Sequence, residues 1–384
     1  MFKIKKQVVV LLVLCLSLCF NGCSKQKDTD SAVLQNRIEQ AEIQEVTINS
    51  DSLFYQMALI DNKILYTEIN GQKLDFVLED PDGQQMRFGS VPNFLTSMKQ
   101  VVLNYPYVYH YICVVEGDDT TRNCLVKLNL ETGEKVEFVC NDESIPTIPA
   151  YYFNGCIVTY KNIVTEDQIY TFLDSFNVET ETWEKHMECT IDTVSGKGEA
   201  IYGICSNQNN LYVLHDICES KIDFNSYLEV LNTDYEIIKT IEISKEMHEF
   251  VLSSFVSDMD VFGDYIYFFN ASMYGYLAKI ENDELIEVFK GRDFALAKNV
   301  SSSAPLFYTR GTNKVYSLDD DEKLSEIDLE VGNEHLIQTV FVSGELCYII
   351  FYGEEINAYS YLVERECLEN VKFPCSENGT PTGV

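Results

Sequence analysis

Basic residues are scarce in this chain. Lysine and arginine total 28 against 61 aspartates and glutamates, which gives a formal charge of −33 over 384 residues. A surface so acidic argues against gripping a phosphate backbone or an anionic lipid through a basic patch. Histidine occurs five times and tryptophan once. The chain contains no Gly-x-Ser-x-Gly elbow, no His-Glu-x-x-His pair and no phosphate-binding glycine loop, so the usual signatures of serine hydrolysis, zinc proteolysis and nucleotide binding are missing. Thirteen cysteines are present, yet none forms a Cys-x-x-Cys pair or sits at zinc-finger spacing with histidine. The lone Trp183 lies just past a turn, which disfavours a dedicated sugar-binding platform. No apolar run reaches the roughly 20 residues that a membrane-spanning helix needs.

Lys3, Lys5 and Lys6 precede an apolar stretch from Val8 to Phe20. This order, basic and then apolar over about a dozen residues, is that of an export signal. It ends at Phe20-Asn21-Gly22-Cys23-Ser24, which resembles a bacterial lipoprotein lipobox, with Phe20 and Asn21 where that motif usually has Leu and a small residue. The resemblance implies cleavage before Cys23 and acylation of its sulfur. Removing residues 1–22 would take three lysines and move the formal charge to −36. Ser24 to Ser31 is polar and reads as a tether, and Leu34, Ile38 and Ala41 have the spacing of a short helix. Acyl chains contribute about 0.8 kcal/mol per buried CH₂, and more than one makes attachment stable.

Two marks then recur in step. The first is an apolar strand entered from a turn, at Ile64, Val108, Ile157, Leu211, Ile266, Leu306 and Cys347. Its steps are 44, 49, 54, 55, 40 and 41 residues. The second is an alternating strand that runs into an acidic turn, as at Leu130 before Glu131-Thr132-Gly133-Glu134. A period in the forties with four short strands per unit marks a propeller. One four-stranded blade cannot cover both its apolar faces, whereas stacked blades cover each other. The fold expected is therefore all-β: a β-propeller of seven four-stranded blades, with six or eight blades or a β-sandwich pair as alternatives. The expected layout is a signal over 1–22, Cys23 and its tether over 23–44, the propeller over 45–375 and a tail over 376–384. Glu45 to Ile48 is expected to add a strand to the last blade. The sixth unit fits least well, because Lys298–Ala304 is polar and small where an apolar first strand should be.

On these marks the chain resembles the propeller-type surface lipoproteins of bacteria, within the broad group of TolB-like, YVTN and quinoprotein-like propellers. It has no Trp-Asp repeat, no kelch glycine pair and no Ser-x-Asp-x-Gly-x-Thr-Trp box, so no functional residue carries over by position. The resemblance implies a module that binds protein, peptide or glycan, although some members are enzymes.

Candidate chemistry is sparse. His110 and His215 occupy similar places in their units' second strands. They could contribute to a central polar cluster or be hydrogen-bonded structural residues. Asp80-Pro81-Asp82-Gly83 looks like the start of a calcium loop but fits a plain turn better. Asp319-Asp320-Asp321-Glu322 gathers four carboxylates at one hairpin tip. Cys113 and Cys124 flank one loop and are placed to be tested as a disulfide. No spacing singles out a carboxylate pair for glycoside hydrolysis. The functional expectation is a binding or scaffold propeller on the outer face of the cell membrane, held there by lipid at Cys23. Its ligand would be protein, peptide or cell-wall glycan, with no nucleic acid partner and no cofactor. The alternative is an extracellular propeller hydrolase or lyase acting on a glycan through carboxylate acid and base.

Overall fold

A computed structural model describes residues 44–45, 55–70, 73–92, 101–116, 120–139, 146–220, 223–252, 256–299, 305–318, 323–331, 335–352 and 358–373. Cys23, the tether and the Asp319–Glu322 tip lie outside them. The described residues are almost all strand, arranged in successive four-stranded antiparallel meanders, and the fold is a β-propeller. None of their helices is long and apolar enough to cross a membrane.

The first sheet runs Tyr55–Ile60, Lys63–Asn70, Lys73–Glu79, Gln85–Pro92 in that order. The chain divides into two compact units, and residues of this sheet fall in both. One holds the described residues of Glu68–Phe76 and Phe88–Lys290. The other holds those of Leu18–Thr67, Val77–Arg87 and Gly291–Val384.

The larger unit contains the sheet Val101–Asn104, Tyr107–Glu116, Thr120–Asn129, Lys135–Val139. An eight-stranded sheet follows. Its first half is Pro146–Phe153, Cys156–Val164, Gln168–Asn177 and Thr182–Asp192. Its second half is Gly198–Ser206, Leu211–Ser220, Asp223–Leu231 and Ile237–Glu242. A short helix, Lys245–Met247, capped by Ser244, leads on to the sheet Val256–Phe262, Tyr265–Asn270, Tyr274–Glu281, Glu284–Arg292.

The burial gradient across each sheet explains the sequence pattern. The second strand Tyr265–Asn270 is buried along its whole length, while the fourth, Glu284–Arg292, has no buried residue. Second strands therefore carry apolar bulk on both faces, because both faces are covered, and each buried aromatic or aliphatic side chain contributes about 1.5–3 kcal/mol. The first strands pack against one another: Pro146–Phe153, Gly198–Ser206 and Val256–Phe262 are mutual neighbours. Tyr151 donates its hydroxyl to the carbonyl of Met259 at 2.5 Å, and Tyr160 donates to the carbonyl of Tyr202 at 3.0 Å.

The smaller unit contains the sheet Phe294–Leu296, Leu306–Thr309, Lys314–Leu318, Leu324–Asp328. Here the structure corrects the reading of the sixth unit. Its first strand is Phe294-Ala295-Leu296, upstream of the polar segment, and Lys298–Asn299 instead pairs in parallel with Phe341 and Val342. The last sheet is built from Leu336–Ser343, Leu346–Tyr352 and Ala358–Glu364, and Gln44–Glu45 adds to it against Leu362 and Tyr361. The strand expected over Glu45 to Ile48 is met at Glu45, and residues 46–48 lie outside the described residues.

Turn chemistry follows the sequence. Asp61, Asn154, Asn282 and Asp283 adopt positive φ at hairpin tips, a conformation that Asn and Asp tolerate best after Gly. At Asp80-Pro81-Asp82-Gly83 the Asp80 carboxylate accepts from the amides of Asp82 and Gln84 at 3.1 and 2.9 Å. That carboxylate oxygen serves the turn, as a plain turn requires. The proposed Cys113–Cys124 juxtaposition is not direct. Cys113 pairs with Asn123 and Cys124 with Ile112, because the hairpin closes across three residues from Glu116 to Thr120.

Candidate functional site

Four strands of the eight-stranded sheet bring together Cys189, Glu199, His215 and Glu229. Cys189 lies on Thr182–Asp192, at the end of the first half. The other three lie on consecutive strands of the second half. The halves are joined by one backbone pair, Ile191 with Gly198. Gly198 has φ +137°, and a Cβ there would sit 1.9 Å from the Thr190 carbonyl oxygen. Only glycine permits this approach. The connecting turn is tied down locally, with Asp192 Oδ1 accepting from the Val194 and Ser195 amides at 3.1 and 2.6 Å.

Within the cluster the imidazole of His215 is central. Its Nε2 lies 3.8 Å from Cys189 Sγ and 3.6 Å from Glu199 Oε2, and its Nδ1 lies 3.2 Å from Glu229 Oε1. Cys189, His215 and Glu229 are buried, whereas the Glu199 side chain is about half exposed at 52%. Burial by itself lowers the His215 pKa, but contact with Cys189 and with Glu229 overrides it and raises the value to about 10. One donor atom each from Cys189, Glu199 and His215 falls within 4.8 Å of the others, the only such group of three among the described residues.

His110 does not join this cluster. It is buried on Tyr107–Glu116 and meets the ring of Phe76 edge-on at 5.8 Å. Burial drives its pKa down to about 4, so it is neutral at physiological pH. Both histidines lie on second strands, whereas the strands that neighbour one another across sheets, Pro146–Phe153, Gly198–Ser206 and Val256–Phe262, are first strands. The first strand Val256–Phe262 carries Asp258 and Asp260, both buried, whose Oδ1 atoms accept from the following amides of Met259 and Val261 at 2.9 and 2.7 Å.

A second polar group lies in the first half of the same sheet. Ser175 Oγ is 2.7 Å from His186 Nε2, and the His186 ring stacks on Tyr235 with centroids 3.4 Å apart. A serine beside an imidazole is the contact of an activated nucleophile. Ser175, however, is only 2% exposed, so a substrate has no access to it and the contact is structural. Nearby, Lys161 pairs with Asp174 at 3.0 Å in the interior and sits 4.5 Å over the ring of Trp183. Trp183 itself packs on Phe176 with centroids 5.1 Å apart. This tryptophan is half-buried, with Phe176 and Lys161 against its ring.

The sequence singled out His215 but none of its three partners. Their separations in sequence, 10, 16 and 14 residues between successive members, match no short ligand motif. The signal lay in polar residues at apolar strand positions, His215 and Glu229 each interrupting a buried run.

No protein-family model and no curated protein sequence matches the chain. Solved structures do. An uncharacterised protein of Listeria monocytogenes, lmo1340, aligns at 12% identity and a TM-score of 0.50, over 88% of this chain and 99% of that one. The β-propeller domain of the trilobed protease from Pyrococcus furiosus aligns at 13% identity and a TM-score of 0.44, over 68% and 79%. Acylaminoacyl peptidase of Pyrococcus horikoshii aligns at 14% identity and a TM-score of 0.44, and the match spans 69% of this chain but only 45% of the peptidase.

Proposed function

We propose that this protein is a lipid-anchored, extracytoplasmic β-propeller of seven blades that binds or scaffolds a protein, peptide or cell-wall ligand. The observation that carries the reading is the lipobox-like Gly22-Cys23, preceded by a basic and then an apolar stretch and followed by a propeller. Seven four-stranded sets can be assigned if the eight-stranded sheet counts as two and Gln44–Glu45 completes the last. Acylation at Cys23 holds the molecule on the outer face of the cell membrane, and the turns at the sheet ends carry the contacts to the ligand.

Metabolic labelling with a palmitate analogue tests the anchor. The wild-type chain should be labelled and pellet with membranes, and Cys23→Ser should lose both properties. Label retained by Cys23→Ser would remove the anchor from the reading. Cross-linking on intact cells tests the binding role. A discrete adduct that persists after stringent washing is the expected outcome, and its absence at every linker length would remove the scaffold reading.

A further inference from the structure

We propose that Cys189, Glu199 and His215 form a divalent metal site with the donor set of zinc, and that Glu229 orients the histidine from behind. Thiolate, imidazole and carboxylate are the ligands zinc takes in proteins, at about 2.3, 2.0–2.1 and 2.0–2.2 Å. Tetrahedral geometry at those lengths places sulfur and nitrogen about 3.6 Å apart, and nitrogen and oxygen about 3.4 Å apart. The observed separations from His215 Nε2 are 3.8 Å to Cys189 Sγ and 3.6 Å to Glu199 Oε2. A contraction of about 0.2 Å on each reaches those values, and the third edge, sulfur to carboxylate, lies within 4.8 Å. One ring nitrogen faces both of the other donors, as a metal between them requires.

The other ring nitrogen supplies the second observation. Metal-bound histidines usually hand their remaining N–H to a carboxylate, which fixes the tautomer and strengthens the ligand. Here Nδ1 is 3.2 Å from Glu229 Oε1. His215 is only 7% exposed and Glu229 8% exposed. The Nδ1–Oε1 approach is an ion-pair contact, and Glu229 Oε2 has no hydrogen-bond partner of its own. The charges balance as well: a thiolate and the Glu199 carboxylate neutralise a divalent ion, and binding releases the thiol proton together with the proton that Nε2 carries in the metal-free imidazolium. Three protein ligands leave a fourth position for water or an outside ligand. Access to it lies on the side of Glu199, the one ligand with an exposed side chain.

Cobalt titration of the full chain, stripped with chelator and kept reduced, tests the site. The expected result is a thiolate-to-cobalt charge-transfer band that saturates at one equivalent and is displaced by zinc. Cys189→Ser should abolish the band. Glu229→Gln should keep the band but weaken cobalt about 10–100-fold. Glu199→Gln, at a half-exposed position that any folded variant should tolerate, should weaken binding at least tenfold. A wild-type chain with no saturable band overturns the proposal. So does a band that survives Cys189→Ser at unchanged affinity, since another cysteine would then be the ligand, or an unchanged cobalt affinity in Glu199→Gln.

Discussion

Replacing His110 by phenylalanine should flatten the acid side of the stability profile. In the fold this imidazole is buried and its pKa is pushed from 6.5 down to about 4. The unfolded chain therefore binds a proton that the folded chain refuses, and stability falls as pH drops. The loss starts near the unfolded value of 6.5, grows through the window down to about 4, and is constant below that. At 1.36 kcal/mol per pKa unit the full loss is roughly 3 kcal/mol, of which about 2 kcal/mol has gone by pH 5. Phenylalanine keeps the edge contact with Phe76 but has no proton to bind. Denaturant unfolding of wild type and variant, at steps between pH 7.5 and 4, isolates the term, because the many carboxylates titrate alike in both and cancel in the difference. The variant should gain about 2 kcal/mol relative to wild type between pH 7.5 and 5. Parallel curves for the two proteins would refute the reasoning, since His110 would then take up a proton in the fold as easily as outside it.

Three further outcomes follow from local geometry. Lys161→Met strands the buried Asp174 carboxylate and should cost about 3–5 kcal/mol, whereas adding Asp174→Leu should restore most of it. Fluorescence of the single Trp183, which loses the ammonium over its ring, reports both, and equal stability of the two variants would contradict the pairing. Gly198→Ala forces a Cβ onto the Thr190 carbonyl and should cost roughly 2–5 kcal/mol through overpacking and backbone strain; amide exchange at Ile191 should rise, and unaltered protection there would argue against the junction. Tyr66→Phe removes the 2.5 Å hydroxyl bond to the buried Glu79 and leaves Gln85 at 2.8 Å as its remaining side-chain donor. A loss of about 1.5–3 kcal/mol in chemical denaturation is expected, and no loss would mean that water replaces the hydroxyl.

The repeat was readable because its marks are local. A turn such as Asn154-Gly155 needs residues that accept positive φ, and an apolar run such as Tyr265–Phe269 needs cover on both faces; each shows in a few consecutive letters. The first strand of the sixth unit was missed because three residues, Phe294-Ala295-Leu296, are too few to display alternation. The Cys113–Cys124 idea failed on a register offset of one, which a loop's composition does not reveal. The site was legible only at His215. Its partners arrive from three other strands, and one of them comes across a junction whose only sequence trace is a glycine between Lys197 and Glu199. Long-range register, and not residue type, decides that meeting.

The short strand Gln44–Glu45 has a mechanical consequence. Among the described residues it is fastened by two residue pairs, against Leu362 and Tyr361. Those pairs join it to a strand near the other end of the chain, so a pull on it is transmitted to the last sheet before any other. A fastening of two pairs is also the least demanding to open and reclose. Under load that pairing would open while the deeper sheets stay folded.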